Sequence, residues 1–74
     1  MKRTLADLSP GESAKVLGLA ADGAVRLRLW DLGLVPGSRA ACLFASPLGD
    51  PMAYRICGAV IALRRRDAAR VQIE

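Results

Sequence analysis

Histidine is absent from this 74-residue sequence, and that absence decides most of what the other reactive side chains can do. Without imidazole there is no Ser-His-Asp or Cys-His catalytic pair, no Cys/His zinc finger and no imidazole pH switch. The two thiols, Cys42 and Cys57, are too few for the disulfide framework of a secreted mini-protein and do not form a CxxC pair. The carboxylates show neither calcium-loop nor helical di-metal spacing. No nucleophile has a base beside it in a recognisable arrangement, and no Gly-rich loop leads into a helix to cradle phosphate. The chain is therefore expected to be neither an enzyme nor the holder of a cofactor.

What remains is recognition chemistry. Eleven Lys and Arg residues against seven Asp and Glu leave a net charge of +4, a surface drawn to anionic partners. The densest point is Arg64-Arg65-Arg66. Nucleic acid is not the expected partner, because Trp30, Phe44 and Tyr54 are the only aromatic residues and single-strand binders stack bases on several rings. Trp30 is the strongest candidate anchor, since Trp and Arg are enriched at interface hot spots. Arg26 lies one helical turn before it, and Arg28 and Leu34 complete the candidate partner-binding surface. The competing reading rolls Trp30 onto the core against Leu34. Arg64 either pairs with Asp50 or Asp31, or meets an acidic patch on a partner. Arg65 and Arg66 read as a solvated rim.

These side chains need elements to position them. A chain this short makes one domain, here 1–74, and with 53% hydrophobic residues it can build a core. Glu12 to Leu19 reads as a strand, with Ala14 and Val16 on one face, Ser13, Lys15 and Leu17 on the other, and Gly18 at a bulge. Asp22 offers an N-cap side chain to a helix whose apolar stripe is Val25, Leu29 and Leu32. Gly33 ends that helix, and Pro36-Gly37 forbids its continuation. Ser38–Ser46 is a strand with Ala40, Cys42 and Phe44 on the inner face. Pro47 to Pro51 is a hairpin tip, with Asp50 closing it as an Asx-turn. Met52, Tyr54 and Ile56 then alternate with Ala53, Arg55 and Cys57, so Cys42 points inward, Cys57 outward, and the two do not meet. Ala59–Leu63 is a further strand, Arg66–Ala69 a helical turn, and Arg70–Glu74 closes the sheet with Val71 and Ile73 inward. The pattern is mostly β with one short helix, a small, partly open SH3-like β-barrel of about five strands. Met1-Lys2-Arg3-Thr4 starts like a signal n-region, but Asp7, Pro10, Gly11 and Glu12 interrupt any apolar stretch behind it. No run reaches the ~18–20 apolar residues of a membrane span, so a soluble, cytoplasmic protein is expected.

The wording and order of the turns carry more. Arg28-Leu29-Trp30-Asp31-Leu32-Gly33-Leu34-Val35-Pro36-Gly37 resembles the "RLxxLGLxPG" segment of the ferrous iron transport protein A (FeoA) family. Pro47-Leu48-Gly49-Asp50-Pro51 is similar to its "PLGDP" hairpin. Leu5 to Val16 fits its opening, and Leu63-Arg64-Arg65 with Val71-Gln72-Ile73-Glu74 its ending, so the resemblance covers nearly the whole chain. It implies an SH3-like barrel acting in the cytoplasm beside a membrane ferrous iron transporter with a G-protein domain, as an accessory or regulator and not a permease. Gly33, Pro36, Gly37, Pro47, Gly49, Asp50 and Pro51 then serve as structural punctuation. Ferrous iron favours imidazole, carboxylate and thiolate, and a tight intrachain site is not expected. Weak binding of a divalent metal through Asp, Glu or Cys57 stays open, as does self-association. The alternatives are a stand-alone SH3-like nucleic-acid-binding or general adaptor module, and the accessory domain of an iron-dependent repressor. The last is disfavoured because such a domain follows a DNA-binding domain.

Overall fold

Alternating burial along Ser13–Leu19 shows how the sheet is built: Ala14 and Val16 are buried while Ser13, Lys15 and Leu17 are exposed. The computed structural model describes residues 3–74; Met1 and Lys2, the start of the n-region-like stretch, lie outside the described residues. In chain order the elements are β1 (Arg3–Thr4), a 3₁₀ turn (Leu5–Asp7), β2 (Ser13–Leu19), α1 (Gly23–Asp31), β3 (Arg39–Ala45), β4 (Met52–Ile56), β5 (Ala59–Leu63), α2 (Arg65–Ala68) and β6 (Val71–Ile73). The strands form one sheet in the order β1-β6-β2-β3-β4-β5, antiparallel throughout. Among the described residues no pairing joins β1 to β5, so the sheet is not closed.

Among the described residues six strands stand where about five are expected. The extra one is the two-residue β1, which pairs Arg3 with Ile73 and Thr4 with Gln72, a ladder too short to leave a periodic signal. It is fixed by the turn behind it, where the Asp7 carboxylate accepts the Thr4 backbone N–H at 2.8 Å.

Two further expectations fail for local reasons. Phe44, expected inward with Ala40 and Cys42, is 59% exposed. Between Cys42 and Phe44 the ladder with β4 advances two residues against one, from Tyr54 to Ala53. This β-bulge reverses the facing of everything beyond Cys42. Asp22 does occupy the N-cap position of α1, but its side chain makes no cap hydrogen bond.

The core holds Leu5, Val16, Leu29, Leu34, Cys42, Tyr54, Ile56 and Val71, all fully buried. Tyr54 spans it and donates its hydroxyl to the Leu5 carbonyl at 3.3 Å, tying the 3₁₀ turn to β4. Burial, ahead of the neighbouring Cys42 and Asp50 charges, pushes its hydroxyl up from 10.0 to about 12, against the pull of Arg65. A folded-state pKa raised above the unfolded one gives stability that is complete below pH 10 and is lost as pH climbs through about 12. Urea melts across that window should show the midpoint falling. Tyr54→Phe should cost about 1 kcal/mol at neutral pH, from the lost hydrogen bond, and should fall less steeply above pH 10. The buried Cys42 thiol, raised by burial and then by Glu12, supplies a share that this variant keeps. Identical alkaline losses in the two proteins would remove Tyr54 from the explanation.

Candidate docking surface

The end of α1 determines which of its neighbours face solvent. Leu32 caps the helix, Gly33 follows with φ +98°, and two backbone bonds close the turn. Gly33 N–H donates to the Trp30 carbonyl at 2.9 Å and Leu34 N–H to the Leu29 carbonyl at 3.2 Å. This is the Schellman arrangement, which pairs the residue after the glycine with the one five positions before it on an apolar contact. Leu29 and Leu34 accordingly share the core at 0% exposure. The reading of Leu34 as a surface contact is corrected: the left-handed Gly33 swings it inward. A side chain at Gly33 would also meet Cys57 Sγ at 3.0 Å and Ile56 Cγ2 at 3.3 Å. The helix terminus is thereby seated against the β4–β5 hairpin.

With Leu29 committed to the core, and Val25 and Leu32 packed against it, the outer face of α1 is left in solvent. Trp30 is 43% exposed and Leu27 67%. The Arg26 guanidinium lies over the indole, 5.7 Å from its centroid, a distance at which a cation is held by the ring's electron-rich face. Arg26, Leu27 and Trp30 line a shallow open hollow of ≈230 Å³. The arrangement offers a ring for stacking or burial, an aliphatic neighbour three residues before it, and a fixed positive charge. That is the chemistry of a hot spot for an apolar side chain flanked by a carboxylate.

Arg28 does not join this group. Its Nη2 lies 2.8 Å from Asp67 Oδ2 in an ion pair that ties α1 to α2. Among the described residues Asp67 is the one charged residue of the buried set, at 9% exposure, and a buried carboxylate keeps a partner. Arg64 is exposed just before α2 and, among the described residues, has no ion pair. Asp50, expected either to pair with Arg64 or to close its own hairpin, accepts the Arg65 backbone N–H at 2.8 Å instead, capping the first turn of α2 from the β3–β4 loop. Sequence reasoning missed Asp67 and Leu27. Leu27 had a signal, as a large apolar residue off the helix's 25/29/32 stripe. Asp67 had none, because its partner lies 39 residues away.

Cys57 is exposed and Cys42 buried, with no disulfide. Cys57 is not a strand residue: it and Gly58, with φ of 52° and 82°, form the two-residue loop between β4 and β5, with the positive φ values of a type I′ turn. Labelling with a thiol reagent should therefore modify one site fast and the second only after denaturation. Two fast sites would contradict the assignment of Cys42 to the core. Among the described residues no three His, Cys, Asp or Glu side chains lie close enough to hold a metal ion, and no helix is long and apolar enough to cross a membrane.

Known proteins resemble this chain along almost its whole length. The sequence pattern of the FeoA domain matches residues 3–74. A Porphyromonas gingivalis protein, an Fe(2+) transport protein A/Fe(2+) transporter FeoB fusion, is 34% identical over 70 residues. The match takes in 95% of this chain but only 8% of that protein. The solution structure of FeoA from Chlorobium tepidum shares 39% identity at a TM-score of 0.89, covering 97% of this chain and 69% of that one. The zinc complex of Stenotrophomonas maltophilia FeoA, an SH3 domain protein, shares 30% identity at a TM-score of 0.86, covering 97% and 89% of the two chains.

Proposed function

The chain belongs to the FeoA domain family, and from that premise we propose that it is a cytoplasmic accessory protein of ferrous iron uptake that docks on the membrane transporter through the outer face of α1 and modulates its G-protein cycle or its pore. The observation that carries this reading is the fusion: in the Porphyromonas gingivalis relative the matching segment and the transporter share one polypeptide. A tether supplies a high effective concentration without any strong contact. Specific docking, tethered or not, still needs an anchor that fixes its geometry. The exposed Trp30, with Arg26 held over its ring and Leu27 beside it, is the anchor available. Arg64 is a second contact for an acidic partner. Arg28 contributes indirectly, by fixing the pitch of α1 on Asp67.

The test uses the purified transporter in vesicles loaded with an iron-responsive dye. Adding the chain at rising concentration should change the initial rate of Fe²⁺ entry saturably. A transporter whose rate and nucleotide turnover stay constant at every concentration would overturn the proposal.

A further inference from the structure

The register of the sheet brings together three cations that sequence order keeps apart. Lys15 stands directly opposite Arg39 across β2 and β3. Arg55 stands opposite Ala41 across β3 and β4, one diagonal step from Arg39. Cross-strand partners share a face, and like charges set directly opposite destabilise a sheet. All three residues are exposed, and among the described residues none of them is in an ion pair. Four carboxylates are engaged elsewhere: Asp7, Glu12, Asp50 and Asp67 bond to Thr4, Ser9, Arg65 and Arg28. Among the described residues the one side-chain hydrogen bond from the three cations is from Arg39 to Ser13 Oγ at 3.5 Å.

Arg39 and Arg55 border a groove, and Lys15 stands beside it, opposite Arg39. An open hollow of ≈460 Å³ is lined by Ser13, Ser38, Arg39, Ala41, Arg55 and the Cys57-Gly58 turn. Its floor is low because Ala41 is the residue between Ser13 and Arg55 in the cross-strand row. Along the same face the next row is Phe44, Ala53 and Ala62, and Val60 lies opposite Arg55. Phe44 is 59% exposed and Val60 57%. The bulge that turns Phe44 outward therefore gives this face an aromatic end to match its basic one.

We propose that this outer face of β2–β5 binds an acidic, partly apolar peptide segment of a partner protein. The segment's carboxylates would sit between Arg39, Arg55 and Lys15, with a hydrogen bond from the Ser13 hydroxyl, and an apolar side chain would lie over Phe44 and Val60. The distribution of charge selects peptide over nucleic acid. A phosphate backbone needs cations spaced along its whole track and rings for several bases, whereas here the cations occupy one end and a single ring the other. The inference goes beyond the transporter reading and does not depend on it.

The test is a fluorescence-anisotropy titration of the full chain with a labelled ten-residue peptide of alternating Glu and Leu. Saturable binding is expected, weakened at least tenfold by Arg39→Gln with Arg55→Gln and several-fold by Phe44→Ser. Arg66→Gln with Arg70→Gln removes the same charge elsewhere and should change affinity less than twofold. Amide shifts of the wild-type chain on adding the peptide should centre on Ser13, Ala41, Arg55 and Phe44, a readout that needs no variant to fold. Equal weakening by the two double variants would overturn the proposal, since net charge alone would then explain binding. Displacement of the peptide by millimolar inorganic phosphate, or tighter binding of a single-stranded oligonucleotide, would overturn it too.

Discussion

Leu34→Ala is expected to destabilise the protein by about 2–5 kcal/mol, the range for truncating a large aliphatic side chain in a packed core. Leu34 is fully buried, and the Schellman turn holds its backbone in place through the Leu29 carbonyl, so the void cannot be closed by a small shift of the loop. A chain of 74 residues has a total stability of about 4–11 kcal/mol, so this change takes a large share of it. For a domain this small the melting temperature should drop by roughly 10 °C or more. A thermal melt is enough to measure it. An unchanged melting temperature, with partner binding lost instead, would return Leu34 to the surface and undo the account of how α1 ends.

Trp30→Ala should do the reverse. Trp30 lies beside Leu29 in sequence but a quarter-turn away around α1, and it keeps 43% of its surface in solvent. Truncation should cost about 1 kcal/mol of stability, mostly from the apolar area the ring does cover. Binding to the transporter should weaken by roughly 2 kcal/mol, about 30-fold, because the interface anchor is lost together with the ring that holds the Arg26 cation in place at 5.7 Å. Pull-down and a melt on the same variant separate the two effects. Arg26→Gln should weaken binding less and make what remains less sensitive to salt, since a flanking charge acts chiefly on encounter.

Local features are legible in the sequence, whereas those that depend on register or distance are hidden. Alternation locates β2, β4 and β5, and Gly33 with Pro36-Gly37 marks the end of α1. Gly33 also implies that Leu34 follows a left-handed turn, but not that the turn aims it at Leu29. Phe44 is misplaced by alternation because a bulge obeys no period: one added residue, Leu43, reverses the faces of β3. Asp50 reads as part of its own hairpin because the N–H it accepts, that of Arg65, lies fifteen residues away. Arg28 reads as a free cation for the same reason, its partner Asp67 being on another element. The contiguous face of Lys15, Arg39 and Arg55 exists only once the strands are paired. At the candidate site Trp30 and Arg26 are recognisable by type and spacing, while Leu27 joins them only when the helix is seated.

Docking of the transporter on the outer face of α1 is tested most directly by titrating isotope-labelled chain with the transporter's cytoplasmic G-protein portion, followed by NMR. The indole N–H of Trp30, the Leu27 methyls and the Arg26 side chain should shift or broaden first, and Trp30→Ala should abolish the changes at the same concentrations while its own spectrum stays that of a folded protein. A complex that forms with these three residues unperturbed would contradict the claim.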